Sequence, residues 1–285
     1  MRALIKQVRP LLEDHGHRPE PIPARLIDPS DLASYVMHAT SQASEHDTTH
    51  QFIDRPPMRS VRVTLPGMSE QDFAVAAWKR IEGWLVERAP ASAALLRPPA
   101  SDADVDAVQE AIGVVFPPAL RAWYKLHDGI DDPGIGKSWW PAGFLPGAQG
   151  WYPLETLRDA YTVQIRDQER EPGRIPFSCV VGDMWHGLYV DARLGEPSYG
   201  SLGRWFVDRE PELLTDPVAG WPLHAWLSRI ADALEQGRCL VGPDGNPDED
   251  TWPALTECGG LVWVAPDEEP HSPPGRVLLG GGPLS

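Results

Sequence analysis

The segment from Phe116 to Gly129, FPPALRAWYKLHDG, constrains the fold most, because it encodes a helix with both its start and its stop. Pro117 and Pro118 open it, and a first helical turn tolerates proline because its N–H groups lack intrahelical partners. Large side chains then recur at helical spacing and share one face: Leu120, Trp123, Tyr124 and His127. Asp128 and Gly129 end the helix, since glycine readily adopts the left-handed conformation. The segment predicts an amphipathic helix packed against a core.

Capping signals and helical spacing predict four further helices. Ser69 and Ser101 are each followed three residues later by an aspartate, which resembles the capping box that opens a helix. Apolar stripes follow both serines, and similar stripes recur later in the chain. The resulting helices are expected over residues 69–88, 101–113, 154–169 and 223–237.

Short apolar runs bounded by turn residues predict strands over residues 177–181, 187–192 and 204–207. Gly182-Asp183 and the glycine-rich YGSLG supply turns between them. Strands that follow one another through short turns favour an antiparallel meander. The run LVWVA, residues 261–265, could add one more strand near the C-terminus.

Composition and charge narrow the function classes. The chain has 285 residues, of which 42% are hydrophobic and 23% charged, as in soluble globular proteins. Its formal net charge of −16 repels phosphate backbones and anionic lipid, so neither nucleic acid nor a membrane surface is an expected partner. A cationic partner is the electrostatic complement. The alternative that the acidity serves only solubility stays open.

The cysteines and the N-terminal sequence favour a cytoplasmic location. Cys179, Cys239 and Cys258 are too widely spaced for a CxxC metal or redox pair. Their odd number and low density indicate free thiols in a reducing compartment. The first residues lack the apolar core of a secretory signal, and no apolar run approaches the ~18–20 residues of a membrane span.

Three motifs suggest a cofactor or metal, and each fails at a required position. GIGKSWW, residues 134–140, lacks the glycines of both phosphate-loop patterns. His46 and His50 have the spacing of zinc ligands on a helix, but no obvious third ligand lies nearby. DGNPDED, which begins at Asp244, starts like a calcium loop but has Glu249 in place of the turn glycine. We therefore expect no metal, nucleotide or other cofactor.

The same holds for catalytic residues. Cys179 and His186, in adjacent predicted strands, are a weak nucleophile–base pair, and a buried strand cysteine explains Cys179 more simply. His127 and Asp128 could form an acid/base pair. A structural role explains their neighbours too, because His127 continues the buried helix face and Asp128 can bind the turn backbone. We therefore expect no catalytic residues and no enzyme activity.

Four large rings in a connection rich in glycine and proline follow neither the helix nor the strand period: Trp139, Trp140, Phe144 and Trp151. Such rings can plug the side of a sheet. They can also provide exposed anchors for a partner, since tryptophan is enriched at interface hot spots. These four residues are the predicted partner-binding residues, with the plug as the alternative.

The ordered set of FPPALRAWYKLHDG, GFLPG, WYPLE, WHGLYVDAR and GRWFVDR resembles the SUKH superfamily, the group of SMI/KNR cell-wall-assembly-regulator-like domains and bacterial immunity proteins. The resemblance implies an α+β fold in which helices flank a mixed, largely antiparallel sheet. It also implies a protein-binding module without catalytic residues. The motif residues, expected to be structural, are Pro117, Pro118, Leu120, Tyr124, His127, Asp128, Gly129, Trp151, Tyr152, Pro153 and Leu154.

The expected domain organisation has three parts. Residues 1–65 form an N-terminal extension interrupted by prolines, residues 66–240 the SUKH-like domain, and residues 241–285 an acidic C-terminal extension rich in proline and glycine. Residues 70–237 are expected to fold alone, because their helices and strands supply complete amphipathic faces. The expected function is an intracellular immunity protein that neutralises a toxin domain, which a basic surface would suit. A regulatory scaffold with a non-toxin partner is the alternative, and an enzyme of unrecognised class the third.

Overall fold

The computed structural model describes residues 68–131, 139–182, 185–213, 221–241, 251–264 and 277–278, apart from the side chains at positions 139, 140, 277 and 278. All of these residues belong to one unit of the chain, Met58–Ser285. The seven α-helices in this described part are α1 Glu70–Arg88, α2 Pro90–Ala93, α3 Asp102–Ile112, α4 Pro118–Tyr124, α5 Trp139–Ala142, α6 Leu154–Tyr161 and α7 Leu223–Gln236. A π-helical turn, Thr162–Arg166, continues α6. None of the described helices has the length and apolarity needed to cross a membrane.

The predicted capping boxes form at α1 and α3. The Ser69 hydroxyl accepts a hydrogen bond from the Asp72 N–H at 3.3 Å, and the Asp72 carboxylate accepts one from the Ser69 N–H at 2.9 Å. Ser101 and Asp104 make the same reciprocal pair. Each pair satisfies two N–H groups that a helix start otherwise leaves unbonded, so both predicted helix starts are confirmed.

Ten strands pair antiparallel throughout the described residues: β1 Gln149–Trp151, β2 Arg174–Pro176, β3 Ser178–Val180, β4 His186–Asp191, β5 Ser201–Phe206, β6 Glu212–Leu213, β7 Trp221–Pro222, β8 Trp252–Leu255, β9 Leu261–Val264 and β10 Val277–Leu278. The largest sheet has the order β2-β4-β5-β6, with β7 also pairing with β5. Two smaller sheets have the orders β1-β3 and β10-β8-β9. Helices and antiparallel sheets together confirm the α+β class.

The predicted meander is confirmed for β4 and β5 but is wrong for β3, which pairs with β1. The chain over residues 174–180 divides at Phe177, so that β2 pairs with β4 and β3 turns to β1. The Ser178 hydroxyl accepts a hydrogen bond from the Leu188 N–H at 3.2 Å, which supplies a partner at the point where the ladder divides. Side-chain hydrogen bonding of this kind cannot be foreseen from strand periodicity.

Tryptophans fill the centre of the core. Trp78 of α1, Trp123 of α4 and Trp151 of β1 are all fully buried. The rings of Trp123 and Trp151 stack at 4.1 Å between centroids, and Trp78 lies 5.2 Å and 5.1 Å from them at steep angles. Aromatic pairs at these distances add to the stabilisation from burial alone. The high tryptophan content therefore serves packing first.

The C-terminal hairpin of β8 and β9 is part of the same core. Leu261 and Trp263 are buried in the main hydrophobic cluster. The Trp263 indole donates a hydrogen bond to the Phe144 carbonyl at 2.7 Å. The Ser92 hydroxyl accepts one from the Leu261 N–H at 3.0 Å and donates to the Pro141 carbonyl at 2.8 Å. The strand predicted at residues 261–265 is confirmed over Leu261–Val264, and these contacts cross the domain boundary predicted at residue 240.

Asp191, at the end of β4, predicts part of the acid sensitivity of the fold. Its side chain is completely buried. Burial raises the pKa of this carboxyl, but hydrogen bonds from the Arg193 side chain, the Arg193 N–H and the Ser198 hydroxyl together bring the pKa below its ordinary value. A carboxyl with a lowered folded-state pKa contributes stability above its unfolded-state pKa, and this stability is lost as the pH falls through the folded-state pKa.

We expect Asp191→Asn to destabilise the protein near neutral pH and to flatten the decline of the free energy of unfolding below about pH 4. Denaturant unfolding at a series of pH values measures both effects. Asp159→Asn is the control, because the exposed Asp159 carboxylate pairs only with its neighbour Arg158 among the described residues. Acid slopes that are the same in wild type and Asp191→Asn would contradict the assignment.

Candidate protein-binding surface

The FPPALRAWYKLHDG segment forms a shorter helix than predicted. The helix α4 ends at Tyr124, and the chain beyond it turns away because the Leu126 N–H bonds back only three residues, to Trp123. The Asp128 N–H then donates to the Pro98 carbonyl at 2.9 Å, outside the helix. His127 therefore lies in the turn, and the prediction that it continues the buried helix face is wrong.

Asp128 connects this turn to the WYPLE segment. Its carboxylate accepts a hydrogen bond from the N–H of Leu154, the first residue of α6, at 2.8 Å. The residue before α6 is Pro153, which has no side-chain group that can cap a helix. Asp128 thus serves as the N-cap of a helix that begins 26 residues later in the chain. This explains why HDG and WYPLE occur together.

Gly129 and Tyr124 bring the two segments into contact. Gly129 has φ +68°, and a Cβ built on it would lie 2.4 Å from the Tyr152 carbonyl oxygen. Only glycine fits such an approach. The Tyr124 hydroxyl donates to the same carbonyl at 2.9 Å, and the Ile130 N–H donates to the Trp151 carbonyl at 3.1 Å. The motif residues that the structure brings together here make structural contacts.

His127 is likewise held by its surroundings. Its Nδ1 lies 2.7 Å from the Arg97 carbonyl oxygen, which assigns a hydrogen to that nitrogen. Its Nε2 lies 3.2 Å from the Glu82 carboxylate of α1, and its ring meets Trp78 edge to face at 6.1 Å. The ring therefore ties α1 to the turn, and these contacts favour the structural role over an acid/base pair with Asp128.

Arg97 lies beside this turn with three carboxylates around it. Its guanidinium is 3.2 Å from Asp128, 3.5 Å from Glu155 and 3.7 Å from Asp131. Burial raises the pKa of the Asp128 carboxyl, and Glu155 and Asp104 add to the increase, against the Leu154 N–H and Arg97, which lower it. Carboxylates from α3 and α6 are thus close enough to repel Asp128.

The neighbouring face of α3 extends this negative region. Arg121 of α4 pairs with Asp106 at 2.6 Å and with Asp102 at 2.9 Å, and Lys125 pairs with Asp102 at 2.8 Å. Glu110 follows Asp106 by four residues and is exposed on the same side of the helix. We call the exposed carboxylates of this region the acidic surface: Asp102, Asp104, Asp106, Glu110, Asp131 and Glu155.

Charges on the acidic surface are arranged by depth. The side chains of Arg97, Arg121 and Lys125 are only 30%, 32% and 35% exposed. The carboxylates of the acidic surface that pair with these cations are about twice as exposed. The exposed fractions are 67%, 60%, 70% and 67% for Asp102, Asp106, Asp131 and Glu155. The cations lie under the carboxylates, so the group that an approaching molecule meets first is negative.

Sequence reasoning missed this surface. It treated the first aspartates of α3 as helix caps, which Asp104 is, and assigned no role to Glu155. The signal was the run DADVDAVQE, in which the carboxylates at 102, 106 and 110 recur at helical spacing on the side opposite the buried valines. Their meeting with Asp131 and Glu155 depends on tertiary structure alone.

The predicted partner-binding aromatics are not a single exposed group. Phe144 and Trp151 are 1% and 0% exposed, so neither offers a ring to a partner, and that part of the prediction is corrected in favour of core packing. The side chains of Trp139 and Trp140 lie outside the described residues. Their role in binding stays a prediction.

The candidate metal and cofactor motifs fall mostly outside the described residues, including His46, His50, Asp244 and residues 134–138. Within the described part of the chain, no group of three or more histidine, cysteine, aspartate or glutamate side chains is placed to hold a metal ion. Cys179 is buried in β3, as the structural explanation expected.

Comparison with known proteins follows the motifs. Residues 99–220 match the SMI1/KNR4 family (SUKH-1). A protein of Kluyveromyces lactis named KNR4/SMI1 homolog is 34% identical over 59 residues, which are 21% of this chain and 11% of that protein. The cell wall assembly regulator SMI1 of Saccharomyces cerevisiae is 35% identical over 66 residues, 23% of this chain and 12% of that protein.

The matching stretch thus spans only about a tenth of the length of these curated relatives. The matched residues 99–220 include α4, the HDG turn and the WYPLE segment that Asp128, Gly129 and Tyr124 join. The resemblance that the ordered motifs indicated is therefore confirmed over residues 99–220, the part of the chain that matches the SMI1/KNR4 family (SUKH-1).

Proposed function

We propose that this protein is a non-catalytic binding module that holds a basic partner protein on its acidic surface. The observation that carries the proposal is a difference in exposure. The side chains of Arg97, Arg121 and Lys125 are half-buried, and the carboxylates that pair with them on the acidic surface are more exposed. Cationic side chains of a partner can reach these carboxylates directly, whereas an anionic partner would be repelled.

The distribution of charge along the chain supports the same partner. Residues 1–67 contain eight Asp and Glu and eight Lys and Arg, so the whole net charge of −16 belongs to residues 68–285. A charge of this size creates potentials of several kT and accelerates the encounter with a basic molecule. The acidic surface lies on this charged part of the chain.

We further propose that the partner is a toxin domain and that the protein acts in the cytoplasm as an immunity protein. The family resemblance supports this role, because SUKH domains include bacterial immunity proteins. No disulfide joins the three cysteines, all of which lie among the described residues, and this fits a reducing compartment. Binding without catalysis is supported by His127 and Asp128, whose side chains are both engaged in structural contacts.

A regulatory scaffold with a non-toxin partner is the second candidate. The S. cerevisiae relative, which is named a cell wall assembly regulator, favours it. Protection assays separate the two roles. Co-expression of this chain with the protein encoded by the adjacent gene rescues growth only if that protein is a toxin and this chain is its immunity protein.

Neutralising the acidic surface tests the binding proposal. The test variant combines Asp106→Asn, Glu110→Gln, Asp131→Asn and Glu155→Gln. We expect the association rate with the partner captured from native lysate to fall roughly tenfold at low salt, because steering depends on local charge. The dissociation rate should change less. Stopped-flow or surface-based kinetics at several salt concentrations measure both rates.

A control variant changes the net charge by the same amount elsewhere on the described surface. It combines Asp167→Asn, Glu196→Gln, Glu210→Gln and Glu257→Gln, all at exposed positions. If the control slows association as much as the test variant does, overall charge rather than the acidic surface attracts the partner. An association rate that is insensitive to salt in wild type would remove the electrostatic proposal altogether.

A further inference from the structure

Three arginines converge beside β2 and β4, away from the acidic surface. The Glu171 carboxylate bridges two of them, at 2.6 Å from Arg193 and 3.3 Å from Arg174. Burial lowers the pKa of Arg170, and the nearby Arg174 guanidinium acts in the same direction, whereas the Glu210 and Asp208 carboxylates raise it. A group of like charges this close is costly unless anions accompany it.

Two of these arginines are held in place by hydrogen bonds to two partners each. Arg193 donates to the buried Asp191 carboxylate through its Nε at 2.9 Å and to Glu171 through its Nη1. Arg170 donates to the Gln164 side chain at 3.3 Å and to the Arg209 carbonyl at 2.7 Å. Their guanidinium groups are therefore held in position by the fold.

Arg174 differs from both. Its side chain is only 17% exposed, yet its Nε–H is buried without a hydrogen-bond partner among the described residues. Its Nη2 donates a hydrogen bond to the Glu171 carboxylate at 3.3 Å. A buried donor left unbonded is unfavourable, so this guanidinium retains unused capacity for an acceptor.

Glu171 is a weakly held occupant of this position. Its side chain is 57% exposed, and ion pairs of exposed carboxylates contribute little to stability. The carboxylate of Glu171 therefore marks where an oxyanion fits between Arg174 and Arg193.

We propose that Arg174 and Arg193 form a binding site for one oxyanion, a phosphate or carboxylate group, which displaces Glu171. A planar guanidinium matches both groups, because it donates two parallel hydrogen bonds to two oxygens. The site goes beyond the proposed function, since it selects anions on a protein whose acidic surface selects cations. Its success or failure is therefore independent of the basic partner.

Nuclear magnetic resonance of the arginine Nε–H groups in the full-length chain tests the site. Sodium phosphate and sodium acetate are titrated separately, each against sodium chloride of equal ionic strength. We expect the Arg174 Nε–H signal, identified by its absence in Arg174→Gln, to shift and saturate with one or both anions. Phosphate alone or acetate alone would identify the preferred oxyanion, whereas saturation by neither overturns the proposal.

Two variants should change the affinity in opposite directions. Glu171→Gln removes the competing carboxylate, and we expect it to tighten anion binding by up to about fivefold. Arg174→Gln should lower the apparent affinity for the anion by about tenfold or more. This affinity is measured from the rise in melting temperature as the anion concentration increases. The matched controls are Glu87→Gln and Arg158→Gln, at exposed positions elsewhere. Controls that alter anion binding as much as the test variants, or a Glu171→Gln variant that binds more weakly than wild type, would overturn the proposal.

Discussion

Replacing Gly129 with alanine is expected to destabilise the protein by about 4 kcal/mol or more, a loss that only specific structural causes produce. Two effects combine at this position. The φ of +68° disfavours any residue with a Cβ, and that Cβ would lie 2.4 Å from the Tyr152 carbonyl oxygen and 2.5 Å from the Pro153 nitrogen. Since both atoms are backbone, the clash can be relieved only by separating the HDG turn from the WYPLE segment.

Gly113 provides the matched control. It has a φ of +73°, close to that of Gly129, but a Cβ built on it meets nothing within 4 Å. Gly113→Ala should therefore cost only about 1 kcal/mol, from the backbone conformation alone. Denaturant unfolding of both variants measures the difference. Equal losses in the two variants would show that the close approach to Tyr152 contributes nothing to stability.

Removal of the C-terminal hairpin is the second change with a large expected effect. A chain that ends at residue 241 lacks Leu261 and Trp263, which are 0% and 6% exposed in the core. It also leaves the Phe144 carbonyl without the indole that donates to it. Substitution of one buried tryptophan by alanine costs about 3–5 kcal/mol, and a whole domain is stable by only about 5–15 kcal/mol. We therefore expect the truncated chain to lose its cooperative unfolding transition.

This expectation changes the prediction that residues 70–237 fold alone. A chain that spans residues 68–285 should keep a cooperative transition, whereas one that ends at residue 241 should not. Calorimetry of both chains distinguishes the cases, and Trp263→Ala in the full chain gives a graded version of the same test. A cooperative transition in the chain that ends at 241 would restore the shorter folding unit.

Much of the local structure was predictable because its causes lie within a few residues. The two capping boxes at Ser69 and Ser101 and the left-handed glycines Gly113 and Gly237 mark helix ends that the structure confirms. The same holds for the pairing of β4 with β5 through a short connection. The ordered motifs identified the family for the same reason, since they could be recognised without knowing their contacts.

The candidate site was less predictable because it is assembled from distant segments. The sequence predicted that Asp128 binds turn backbone, but its acceptor role for Leu154 joins positions 26 residues apart. Phe144 and Trp151 followed no secondary-structure period, so exposed and buried placements were both open from sequence. Their burial depends on two helices: Trp78 of α1 packs against Phe144, and Trp123 of α4 stacks on Trp151.

The sequence by itself determined the α+β class, the helix boundaries at capping residues, the family resemblance of residues 99–220 and the excess of negative charge. Each depends on composition or on interactions between residues close in the chain. The tertiary structure alone decided that β3 leaves the meander, that the C-terminal hairpin completes the core, and that cations lie beneath the carboxylates of the acidic surface. These features depend on the depth of each side chain and on pairings between segments far apart, and neither local spacing nor net charge specifies them.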